Sequence, residues 1–348
     1  MPRPFRPTRK CPASHGSCAV HASSVARTPR TALADRVLGA VPVTAIALAL
    51  LAATPAVAVA PPLSQPRIVA HFDLSQGRQP ENIAVEPDGS VDLTLSFARQ
   101  VVHLDRAGRL TVLADMPAPA HPATPVIGAA AVSGLARAHD GTLYFAYATG
   151  TEDLTGIWRL CPGGEPERIA ALPASSLPNG LALDEHAGVL YSADSALGLV
   201  RVLPTTGGAP VVVWSDDALL KPTGAFGANG LKVHRGAVWV GNTDSGSLLR
   251  IPIGQDGSAG PVEVRADGLA GLDDFAFVGV GDELIAALNT SSEAVYLRGD
   301  GTRHTVLDAS DGLSNPTSVG IRGDRVYVSS AAFYSRSDPN LLAATLER

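Results

Sequence analysis

The chain has 348 residues, 45% of them hydrophobic, 17% charged and 5% aromatic, with 35 Gly, 27 Pro, 3 Cys and a formal net charge of −6. That length and apolar fraction support a full core and exclude a largely disordered, collagen-like or coiled-coil chain. No basic face is available to neutralise phosphates, which excludes nucleic acid as a partner, and three cysteines without C-x-x-C spacing argue against a zinc ribbon or disulfide scaffold.

Residues 1–36 carry seven cations against the single acid Asp35, and residues 37–60 are uncharged and apolar. This is the pattern of an export signal. Its apolar core, residues 43–53, is short for a bilayer span, and the small residues Ala56 and Ala58 place cleavage after Ala58. An uncleaved anchor helix over the 24-residue apolar stretch is the alternative. Cleavage leaves residues 59–348 as one domain, secreted or held at the cell envelope, with no stable membrane insertion. Its only cysteine is then Cys161, which has no internal partner.

A short pattern recurs six times along that domain: PENIAV at Glu81, VSGLAR at Ser133, PNGLAL at Asn179, ANGLKV at Asn229, LDDFAF at Asp273 and PTSVGI at Thr317. The spacing, about 47 residues, is that of propeller blades. Each copy is followed by two further β-rich runs, for example LTLS from Leu93 and VVHL from Val101, with hairpin signals such as Pro87-Asp88-Gly89 between them. Five copies carry a fourth strand and the sixth does not. The run RIVAHFDL from Arg67, ahead of the first copy, supplies the missing one. The predicted fold is an all-β, six-bladed β-propeller with four antiparallel strands per blade, its ring closed by the N-terminal strand.

In such a fold the first strand of each blade faces the central channel, so equivalent positions form a ring. Here the ring reads Glu81, Ser133, Asn179, Asn229, Asp273 and Thr317, all oxygen donors where a core would use Val or Leu. Two carboxylates and two amides suit one Ca²⁺ completed by water, and the absence of His and Cys disfavours zinc. Strict alternation sends Asp273 and Asp274 to opposite sides, and the alignment of Phe275 with Leu181 and Leu231 makes Asp273 the inward one and leaves Asp274 second.

The set PEN, PNGLAL followed by LYSADS, ANG and LDDFAF resembles the SMP-30/gluconolactonase superfamily of six-bladed propellers, over essentially the whole exported chain. The resemblance implies a channel Ca²⁺ held by Glu81, Asn179, Asn229 and Asp273, with Asp273 as base or nucleophile and Glu81 purely a ligand. The sequence also resembles fungal propellers of the hetero-Diels–Alderase type, so the shared fold leaves the reaction open.

Three readings follow. The first is an exported Ca²⁺-dependent hydrolase of lactones or related esters, acting on a small-molecule substrate. The second is a non-hydrolytic natural-product cyclase, and the third a non-catalytic binding propeller. Loops at the channel mouth supply substrate contacts, with Asp194, Asp244 and Tyr334 as candidates. His121, in the Pro-rich segment 117–125, is the candidate proton shuttle, the remaining histidines of the domain falling on strands or distant turns.

Overall fold

The sixfold repeat becomes six four-stranded antiparallel sheets in the protein, whose structure, a computed structural model, describes residues 63–347. The expected signal segment and its cleavage site lie outside the described residues. The innermost strands are Pro80–Val85, Ala131–Arg137, Pro178–Asp184, Ala228–His234, Leu272–Phe277 and Pro316–Arg322. Each touches the next and the last touches the first, so the sheets form a closed ring of blades. Among the described residues only three short 3₁₀ turns interrupt the strands, and no helix there is long and apolar enough to cross a membrane.

The sixth blade is built from both ends of the described chain. Strands Pro316–Arg322, Arg325–Ser330 and Asn340–Leu346 are completed by Leu63–His71, which pairs antiparallel to the last of them with Arg67 opposite Ala343 and His71 opposite Asn340. The strand begins at Leu63 rather than Arg67. It also stops before Asp73, whose carboxylate accepts from the Ser75 amide and caps the 3₁₀ turn Leu74–Gln76.

Burial follows position within the blade. A second strand is covered on both faces by neighbouring blades, so Val91–Leu95, Leu143–Ala148 and Leu284–Leu288 are buried at every residue, and the last two read as unbroken apolar runs. An outermost strand has one free edge, and Val212 and Val213 are about half exposed. The core is accordingly divided among the seams. Leu231, Val238 and Leu249 of the fourth blade, for instance, pack with Tyr191 and Val200 of the third. Cys161 is disulfide-bonded, contrary to the expected lone thiol.

Near the axis the inner strands approach too closely for side chains. A Cβ on Gly134, Gly180 or Gly230 would lie 2.0, 2.1 or 2.4 Å from the backbone oxygen of Asn179, Asn229 or Asp273 in the next blade. These glycines are therefore fixed by contact. Gly180→Ala is expected to destabilise the protein by about 3 kcal/mol in chemical denaturation, since backbone on both sides must move. Gly279→Ala, with nothing within 4 Å of its added Cβ, is the matched control and should change little.

Candidate active site

All six inner strands break register with their neighbour at the ring position, between Pro80 and Ile83, Val132 and Leu135, Pro178 and Leu181, Ala228 and Leu231, Leu272 and Phe275, and Pro316 and Ser318. A bulge of this kind lets two consecutive side chains approach the axis. Strict alternation therefore fails for Asp273 and Asp274, and both are buried near the axis. Asp273 lines a cavity of about 360 Å³ that opens at the channel mouth. Asp274 lies in a polar cluster, where both oxygens accept from Lys232 Nζ at 2.6 and 2.7 Å and Oδ2 also accepts from Asn82 Nδ2 and Ser318 Oγ. Lys232, Asn82 and Ser318 come from three other blades, so these bonds tie the axis together.

The ring positions divide into two kinds. Ser133 Oγ donates to Pro178 O at 2.8 Å and Thr317 Oγ1 to Pro80 O at 2.9 Å, each bridging to the following blade. In the third, fourth and fifth blades the bridge comes instead from the residue after the second strand. Ser195 Oγ donates to Ala228 O, Thr243 Oγ1 to Leu272 O, and Asn289 Nδ2 to Pro316 O. This frees Asn179, Asn229 and Asp273, in those same blades, to line the cavity with Glu81.

Those four side chains are at most 8% exposed. Asn179 Nδ2 donates to Ser195 Oγ at 3.3 Å, and Asn229 Nδ2 donates to Thr243 Oγ1 and Asp273 Oδ1, both at 2.9 Å. With the NH₂ groups engaged, the amide carbonyl oxygens remain to offer to a ligand. Glu81 Oε2 is buried without a hydrogen-bond partner. Burial, reinforced by Asp274, pushes the Glu81 carboxyl up to about 8. Asp273 is held well above the usual carboxylate range by burial, then by Glu81 and Asp274, against the hydrogen bonds of Asn229 and Asn289. Two buried acids with amide oxygens beside them and an orphaned carboxylate oxygen fit a hard divalent cation. No cluster of three or more His, Cys, Asp or Glu suited to a metal occurs among the described residues, so such an ion needs the two amides and water.

The other expected residues are dispersed. Tyr334 lines the cavity, 63% exposed at its mouth, and its hydroxyl is pushed up by burial and then by Asp273, Glu81 and Asp244. Asp244 stands near that hydroxyl, with Oδ2 accepting from the Gly224 amide at 2.6 Å. Asp194 is not in the lining: it is fully buried, paired with Arg201 at 2.6 Å and accepting from the Leu177 and Leu197 amides. His121 is exposed on its loop and outside the lining, to which that loop contributes Val126 and Ile127. Sequence reasoning missed the aromatic wall of Phe97, Phe226 and Phe333, and Arg336. Phenylalanines outside the strand runs, in a chain with only eight, were the available signal.

Lys232→Met is expected to cost about 3 kcal/mol in denaturation, because it leaves the buried Asp274 carboxylate unpaired. Adding Asp274→Asn should restore most of that loss, a double-mutant cycle separating the pair from each residue alone.

A scan against protein-family models finds no match, and a search of curated proteins finds none either. Solved structures do match. A gluconolactonase from Xanthomonas campestris is 17% identical over 83% of this chain and 97% of that chain, with a TM-score of 0.58. The calcium-binding protein regucalcin from Agrobacterium tumefaciens is 18% identical over 81% of this chain and 94% of that chain, with a TM-score of 0.59. A virginiamycin B lyase from Staphylococcus aureus is 14% identical over 81% of this chain and 100% of that chain, with a TM-score of 0.54. At these identities the likeness is one of fold: the chain is a six-bladed β-propeller built like those of gluconolactonase and regucalcin.

Proposed function

We propose that the protein is an exported Ca²⁺-dependent hydrolase of lactones or related esters, with the ion held by Glu81, Asn179, Asn229 and Asp273. The carrying observation is the orphaned, buried Oε2 of Glu81 beside Asp273 in one cavity, a pair of acids suited to a hard divalent cation. Two fold neighbours, a gluconolactonase and the calcium-binding protein regucalcin, support the same reading. Export rests on the sequence of residues 1–58 alone.

When bound, Ca²⁺ supplies Lewis-acid polarisation of the scissile carbonyl oxygen. Asp273, oriented by Asn229 Nδ2 at 2.9 Å, accepts a proton from the attacking water. Water adds to the acyl carbon, the acyl–oxygen bond breaks, and the proton passes to the departing alkoxide. Glu81 makes no move in this scheme, and Phe97, Phe226 and Phe333 keep bulk water from the reacting centre.

The apolar walls also favour a second reading, a non-hydrolytic ring opening or cyclisation at the same cavity, and one fold neighbour is a lyase. Turnover in H₂¹⁸O separates the two: label in the product acid marks hydrolysis, and unlabelled product marks the alternative.

Elemental analysis of the purified protein should find one Ca²⁺ per chain, and chelation should lower Tm by about 5 °C or more. Glu81→Gln and Asn179→Ala should lose the ion. Asp273→Asn should retain it while activity falls by about 10²-fold or more. A metal-free protein of unchanged Tm after Ca²⁺ addition would sink the proposal. His121→Ala, remote from the lining, should keep activity within about twofold of wild type.

A further inference from the structure

We infer that the substrate is amphipathic, an ester or lactone with an apolar body and an anionic group, a carboxylate in its simplest form, that docks on Arg336. The inference rests on the ester-hydrolase reading for the reacting group, while the recognition chemistry stands on the walls of the cavity.

The first observation concerns the polar lining. Ser133, Thr243 and Asn289 face the cavity, but their donors are committed to the carbonyls of Pro178, Leu272 and Pro316 in the seams. Thr290 Oγ1 donates to Ala270 O, and the Asn179 and Asn229 amide groups are engaged with Ser195, Thr243 and Asp273. These commitments leave few donors for the acceptor lone pairs of a polyhydroxylated ring, and each unmade hydrogen bond is costly. The walls offer something else. Phe97 and Phe333 meet edge to face at 5.8 Å, and Phe226, Leu177, Val126 and Ile127 complete an apolar sleeve.

The second observation concerns the loop 331–339. Arg336 is the only cation among the described lining residues, it is exposed, and its guanidinium has no hydrogen bond or ion pair there. The loop that presents it is held rigidly. Asn315 Oδ1 accepts from the Tyr334 and Ser335 amides at 3.0 and 2.8 Å, the Ala332 amide donates to Ser314 O, and the Arg336 amide donates to Ala332 O. Ala332, Arg336 and Asp338 each sit at φ 54°, left-handed backbone that non-glycine residues adopt at a cost. That cost is sustained where the loop aims Phe333, Tyr334 and Arg336 at the cavity. An unpaired guanidinium on a loop held by these bonds suits a carboxylate, which it can grip with two parallel N–H donors. With the acids on the floor and the cation at the mouth, the substrate enters acyl centre first and anionic end outward.

The test uses the full Ca²⁺-loaded protein and three substrate types: an alkanoyl ester bearing a carboxylate, its neutral amide counterpart, and gluconolactone. The carboxylated ester should give the highest kcat/KM. Arg336→Gln should lower kcat/KM for it by about tenfold to a hundredfold and leave the neutral counterpart within about twofold, the loss falling mainly in KM. Phe97→Ala should reduce both esters. An unchanged carboxylate-to-neutral ratio in Arg336→Gln, or gluconolactone as the best substrate, overturns the inference. Calorimetric binding of the non-hydrolysable N-octanoylglycine and N-octanoylglycinamide separates the two proposals. Arg336-dependent binding of the first without turnover of any ester supports the recognition site and rejects the hydrolase, and no difference between the two ligands rejects the site.

Discussion

Everything at the axis depends on how closely neighbouring blades are drawn together where their inner strands meet. Five of six seams are bridged by a side chain donating to the carbonyl just before the next ring residue, and at the remaining seam the Val132 amide donates to Ser96 O. Three glycines permit the approach in half of the ring. In the other half their places are taken by Asp274, Ser318 and Asn82, which bond to one another and to Lys232. The consequence is a rigid polar floor under an apolar funnel. Rigidity there is what lets two buried acids persist side by side without relaxing apart.

The division of labour between ring and bridge explains which residues are available for chemistry. Where a ring residue is Ser or Thr it serves the seam, as in the second and sixth blades. Where the residue after the second strand takes over that duty, the ring residue is released to the cavity. Asn179, Asn229 and Asp273 are released in this way. A small change in the second strand's exit thus controls a functional group on the first.

Much of this was legible from the chain. The 47-residue period, the strand count, the completing N-terminal strand and the ring of oxygen donors follow from spacing and alternation, because a propeller repeats one local pattern. Other features were not. The bulge that brings Asp273 and Asp274 both to the axis breaks the period-two rule on which the reading relied. Asp194 looked like a mouth residue, yet its salt bridge with Arg201 spans seven residues of sequence that carry no signal of pairing. Phe97, Phe226, Phe333 and Arg336 sit in connecting segments, where no periodicity marks which way a side chain points.

The sixth blade joins residues separated by nearly the whole described chain, Leu63 facing Leu346 across one strand pair. Its hydrogen bonds cannot form until the last strand has been synthesised, however early the other blades gain their shape. The loop-closure entropy of joining the two ends is therefore lost late, in one event, and offset only then by the contacts of the completed sheet. The nascent protein passes through a stage with open sheet edges at both ends, its most vulnerable moment for pairing with a second copy. Once the two ends meet, partial unravelling from either terminus must first break this shared sheet, which couples the durability of the whole ring to a single antiparallel clasp.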